Sequence, residues 1–141
     1  MSSFFLPQLI YAKYHWLTAY VSQVLQDSEW SDLNRSQLVI MGGIRNGISR
    51  SSRLAEMIGV SRQAISKSVK ELENLELLYQ EVDPEQANSM VLKLTDNGQR
   101  CIALVDQHIQ ALENRLADKV GIEAVEQTKK LMSLDWDDLT K

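Results

Sequence analysis

One stretch, LAEMIGVSRQAISKSVKELENLELL from Leu54 to Leu78, constrains this chain more than any other. Leu54, Ala55 and Ile58 recur at helical spacing and make one apolar face. Gly59 follows the last of them, where a left-handed residue stops a helix at little steric cost. Ser61 then stands where the next helix needs an oxygen to accept from its first amides. Beyond it, Ile65, Val69 and Leu72 share one side, while Gln63, Ser66, Lys67 and Lys70 share another. The pattern predicts a helix-turn-helix, the arrangement that sets a second helix into the major groove of DNA. On that reading Ser61, Arg62, Gln63, Ser66 and Lys67 stand at bases or nearby phosphates, and Lys70 stands at a phosphate. A polar helix face is also an ordinary solvated face, but the residues beyond Leu78 favour the first reading.

After Leu78 the periodicity becomes strand-like. Leu77 to Val82 and Met90 to Leu94 are short runs with apolar alternation, and the polar segment 83–89 between them is rich in turn formers. Helix, helix and hairpin together predict a winged helix. Thr95 fits an N-cap for a long helix beginning near Asp96. The expected fold is mainly α with a small β-hairpin wing: a winged helix-turn-helix flanked by N- and C-terminal dimerisation helices.

LAEMIGVSRQAISKSVKELE, the Asp83-Pro84 pair opening the wing and LTDNG closing it resemble the MarR family of winged helix-turn-helix transcriptional regulators. The resemblance covers most of the chain. It implies a homodimer, a palindromic double-stranded DNA site, most often a repressor, and often release by a small molecule or oxidant. One departure stands out: where the family's wing carries Asp and then Arg, this chain has Gln86 and Ala87, followed by Asn88. The wing's remaining candidates for DNA contact are Gln86, Asn88 and Lys93. Without an arginine the attraction to narrow, A·T-rich minor grooves is lost, so binding should be weaker or less shape-selective. The alternative is a winged-helix interaction module that has lost DNA binding and works through protein contacts.

Pro7 fits a first helical position, and from Gln8 to Leu25 the chain is apolar around most of a helix. Such a helix needs a second partner, and a neighbouring subunit would serve. Asp32 or Asn34 can cap a second helix that ends near Asn46-Gly47, with Gly42-Gly43 allowing close packing. Ile48 and Ser49 fit a minimal third strand. Tyr11, Tyr14, His15 and Trp16, with Met41, are the candidates for an effector site taking a small aromatic or phenolic ligand. Aromatics at helical spacing are, however, more often core or interface than pocket.

Cys101, Ile102, Leu104, Val105, Ile109, Leu112 and Leu116 form a long stripe on a helix reaching Val120. Gly121 breaks it, and a final helix is expected through to Trp136. The organisation read from these patterns is a single domain. Residues 1–30 and 97–141 form dimerisation helices around a DNA-binding region at 33–95. That region places the helix-turn-helix at about 50–74 and the wing at about 78–94. Two recognition helices in a dimer would lie about 34 Å apart.

At 141 residues the chain is long enough for a real core. Its net charge of −4 opposes whole-molecule attraction to nucleic acid. The acidity gathers at the end, with 9 acidic and 6 basic residues in 96–141, while Arg50, Arg53, Arg62, Lys67 and Lys70 are bunched around the motif. Binding through such a local basic face is strongly salt-sensitive. Cys101 is the only cysteine and reads as a small buried apolar residue, not as a redox sensor. His15 and His108 stand in no metal-ligand spacing, and no nucleophile–base constellation or phosphate loop is present, so neither a metal, a cofactor nor an enzyme is expected. With no leader pattern and no apolar run near 20 residues, the expected location is the cytoplasm, away from membranes.

Overall fold

The computed structural model describes residues 3–141, which form two compact units meeting between Val105 and Asp106. In the first, α1 (Leu6–Leu25) starts with proline in its first turn, where a missing N–H costs nothing. Only Leu25 of α1 is buried. The second helix, α2 (Arg35–Arg45), begins on a reciprocal cap. Asn34 Oδ1 accepts from the Gln37 amide and Gln37 Oε1 accepts from the Asn34 amide, both at 2.9 Å. Asn34, not Asp32, is therefore the cap. Of the two adjacent glycines only Gly43 makes a close approach, lying against Leu54 and Met57.

Helix α3 (Ser51–Ile58) ends on Gly59, whose φ of 77° and ψ of 35° are left-handed. Helix α4 (Arg62–Asn74) follows after Ser61, whose hydroxyl oxygen accepts from the Ala64 amide at 3.1 Å. Glu76 adopts a positive φ of 59° and turns the chain into the hairpin. Strands β1 (Leu78–Val82) and β2 (Met90–Leu94) pair antiparallel, with Leu78 opposite Leu94 and Val82 opposite Met90. Ile48 and Ser49 form no third strand. The Ser49 carbonyl accepts one bond from the Leu92 amide at 2.8 Å, and the chain then turns at once into α3, leaving no residue to extend the ladder.

The core gathers Leu25, Ile40, Met41, Leu54, Ile65, Leu72, Leu77, Leu92 and Cys101, all without meaningful exposure. It joins the inner faces of α2, α3, α4 and the hairpin to the start of α5 (Asp96–Val120). Thr95 sets that start. Its hydroxyl accepts from the Gly98 amide at 3.0 Å and donates to the Glu76 carbonyl at 2.6 Å. Gly98 packs so closely on the Leu77 carbonyl that a Cβ would collide with it.

The second unit runs from Asp106 through the rest of α5, a break at Gly121, α6 (Ile122–Ser133) and a 3-10 turn at Asp137–Thr140. An ion pair joins Lys129 to Glu113 at 2.7 Å. The last helix stops at Ser133, short of the expected Trp136, because local bonds favour a turn. The Trp136 indole N–H donates back to the Leu131 carbonyl at 3.1 Å, and Asp135 accepts from the Asp137 amide at 2.9 Å. No residue of α6 is buried. Among the described residues, no helix is long and apolar enough to cross a membrane and no group of side chains could hold a metal ion.

Candidate nucleic-acid interface

Helix α4 is sided as its sequence requires. Ile65, Val69 and Leu72 enter the core, and Arg62, Gln63, Ser66, Lys67 and Lys70 are exposed. From Arg62 to Lys70 the face runs about 12 Å along the axis, a length suited to a major groove about 12 Å wide. Arg62, Lys67 and Lys70 make no ion pair among the described residues. Ser61 spends its oxygen on the helix cap, and its O–H remains able to donate to a phosphate.

The acids that follow Lys70 are engaged by neutral amides. Glu71 accepts from Gln37 Nε2 at 2.8 Å, and Glu73 accepts from Gln80 Nε2 at 2.9 Å. Gln37 is buried and does two jobs, capping α2 with its oxygen and holding α4 with its nitrogen. Sequence reasoning passed over Gln37, although the Asn34-x-x-Gln37 spacing of a capping box was visible.

The wing is organised by Asp83. One carboxylate oxygen accepts from the Glu85 amide at 2.9 Å and the other receives the Arg50 guanidinium. The Glu85 amide first, and Arg50 after it, hold the Asp83 carboxyl below the usual aspartate value. Gln86 and Asn88 are exposed at the tip. Gln86 is tied locally, its backbone carbonyl accepting from the Ser89 amide at 2.9 Å. Lys93 lies on β2 and pairs with Glu81 across the hairpin at 3.0 Å, which raises its pKa. Of the three wing candidates, then, two are neutral and the third already has a carboxylate partner.

The effector candidates on α1 fall into separate aromatic contacts. Tyr11 and His15 stack at 6.4 Å between ring centroids, Trp16 stacks on Tyr20 at 5.5 Å, and Arg35 lies over the Tyr14 ring at 5.3 Å. All four candidates on α1 are exposed, whereas Met41 points into the core with no exposure at all. Met41 is thus a packing residue of α2 in the core. Cys101 is also fully buried, and its pKa is pushed up to about 11, first by burial and then by the charge of Glu29.

An exposed, basic second helix, a left-handed turn before it and a hairpin beside it define a winged helix-turn-helix protein. Comparison with known proteins narrows that class. The model of the MarR family matches residues 31–87. An uncharacterized protein of Mycobacterium tuberculosis is 31% identical over 75 residues, 53% of this chain and 52% of that protein. The chain spans about half the length of the curated relatives it matches. Among solved structures, wild-type apo MarR from E. coli aligns with a TM-score of 0.69 at 17% identity over 93% of this chain and 96% of that one. Streptococcus pneumoniae FabT in complex with DNA aligns at 0.74 and 14% identity, covering 90% of each chain. A MepR mutant from S. aureus bound to an oligodeoxyribonucleotide aligns at 0.59 and 20% identity, covering 93% of this chain and 95% of the other. The family match falls on the helix-turn-helix and the opening of the wing, and the fold is that of the MarR structures. The likeness to the MarR family thus rests on residues 31–87 and on a shared winged-helix fold.

Proposed function

We propose that this chain is a cytoplasmic, sequence-specific DNA-binding transcriptional regulator that acts as a homodimeric repressor on a palindromic operator. The observation that carries the proposal is the α4 surface from Arg62 to Lys70. It holds three cations with no ion-pair partner among the described residues, two hydrogen-bonding side chains and no acid. Arg62 and Gln63 stand at the start of the helix, where side chains reach base edges, and Lys67 and Lys70 follow where phosphates lie. The DNA-bound FabT and MepR structures share this fold and support the reading. In the same scheme residues 1–30 and 97–141 serve dimerisation around the DNA-binding region 33–95. Release by a small aromatic ligand at the α1 surface completes the proposed cycle.

Selection of bound duplexes from a random pool tests the proposal directly. The expected product is a two-fold site with half-site centres one helical turn apart, about 10 base pairs. Affinity for it should fall steeply with salt. Arg62→Ala should cost about 1–3 kcal/mol and relax one position of each half-site, as expected for a bidentate base contact. No enrichment at low salt would leave the winged helix as a protein-interaction module instead.

A further inference from the structure

The hairpin from Leu78 to Leu94 carries Glu81, Asp83 and Glu85 against a single cation, Lys93. That cation is 3.0 Å from Glu81 on the facing strand. Arg50, which reaches the hairpin from the start of α3, is held by Asp83. The tip between them presents Gln86, Ala87 and Asn88, none charged. Meanwhile the hairpin grips the two residues that lead into α3. Asp83 holds the Arg50 side chain, and the Leu92 amide holds the Ser49 carbonyl at 2.8 Å.

We propose that the wing of this chain braces the start of α3 and delivers no cation to DNA, so that charge and base readout are confined to α4. This inference rests on the DNA-binding reading above. A narrow minor groove is a site of concentrated negative potential that rewards an inserted cation. An uncharged tip with Glu85 just before it gains nothing there. Lys93 and Arg50 are paired at the surface with the protein's own acids, each beside a carboxylate whose charge would meet any phosphate drawn toward it. Base pairs flanking the α4 contacts should therefore be tolerated freely. The salt dependence should be set by Arg62, Lys67 and Lys70.

The test uses the full chain and a duplex enriched from a random pool, with affinity measured by fluorescence anisotropy across a salt series. An empty selection removes the DNA-binding reading and this inference with it. A successful one lets the wing be judged alone. Lys67→Gln should flatten the log–log salt slope by about 0.9 for each subunit bound, and Lys93→Gln should leave it unchanged. Glu81→Gln, which frees Lys93, should raise affinity severalfold and steepen the slope by about 0.9 per subunit. That gain should vanish in the Glu81→Gln/Lys93→Gln double variant. Exchanging A·T for G·C pairs in the flanks should change affinity by less than about twofold. The proposal is overturned if Lys93→Gln flattens the slope as much as Lys67→Gln does. It is equally overturned if the Glu81→Gln gain survives the loss of Lys93, or if the flank exchange costs about tenfold or more.

Discussion

Cys101 and Gly98 sit one helical turn apart at the base of α5 and constrain the fold in different ways. Cys101 is buried and its thiol is pushed up from 9.0 to about 11. A thiol so far above neutral pH holds almost no thiolate, the form that peroxide and alkylating reagents attack. It should therefore resist Ellman's reagent in buffer and react fully in denaturant, and peroxide should leave DNA affinity unchanged. Reaction of the native protein within minutes would contradict this. The same shift has a pH signature. Because the folded value lies above the unfolded one, folding favours the protonated thiol. Its contribution is complete below about pH 9 and is lost as pH rises toward 11, amounting to about 3 kcal/mol at most. Urea unfolding across that range should show the loss in the wild type and a flatter profile in Cys101→Ala. At Gly98 the constraint is steric. A methyl group would meet the Leu77 carbonyl, which is backbone and cannot rotate away. Gly98→Ala should cost about 1–3 kcal/mol by forcing α5 off the hairpin, against a typical gain when alanine replaces glycine inside an exposed helix. An unchanged urea midpoint would show that the helix start yields cheaply.

At the scale of elements, the wing depends on Asp83. Its folded pKa is depressed, so its contribution is present above the unfolded value of 3.8 and disappears as pH falls through the lower folded value. Asp83→Asn keeps an oxygen for the Glu85 amide but loses the charge that holds Arg50. Hydrogen exchange at the Glu85 and Leu92 amides should then quicken while the core of α4 stays protected, and the wild type should reproduce this pattern in acid. Uniform exchange across both elements would mean that the wing and α4 open as one unit. The same element marks where sequence reading succeeds and where it stops. Met90–Leu94 was legible because Met90, Leu92 and Leu94 alternate, and the helix-turn-helix was legible because Gly59 and Ser61 fall where a left-handed turn and a cap are required. Arg50–Asp83, Gln37–Glu71 and Ser49–Leu92 were not, since each joins residues more than thirty positions apart and leaves no periodicity. The early end of α6 escaped for a related reason. Leu131, Leu134 and Trp136 keep an apolar pattern, while the Trp136 indole bond that closes the turn is a local competition that patterning cannot rank.

For the whole molecule, the unexplained quantity is exposed apolar surface. In the first unit α1 and the residue before it leave Phe5 82% and Tyr11 71% exposed, and in the second Ile122 and Leu139 are exposed by 70% and 77%. Monomers rarely carry apolar patches beyond a few hundred Å², and both units carry theirs toward the chain ends, where a second subunit can cover them. Charge works against this association. Residues 96–141 hold 9 acids and 6 bases, so two copies brought together through this segment repel each other. Salt screens that repulsion, with a Debye length of about 8 Å at physiological strength, and leaves the apolar burial intact. Dimerisation should therefore tighten with salt while DNA binding weakens with it, and the two effects can be separated in one preparation. Sedimentation equilibrium at low and moderate salt should give a dimer at micromolar concentration in both, with the smaller dissociation constant in the higher salt. Ile122→Glu and Tyr11→Glu, each placing a charge on an exposed apolar site, should shift the protein toward monomer. Each should also weaken operator binding by more than about tenfold, because the second half-site loses its effective concentration. A monomer in both salts, binding the full site as tightly as the variants do, would show that one α4 suffices and that the exposed apolar surface serves another partner.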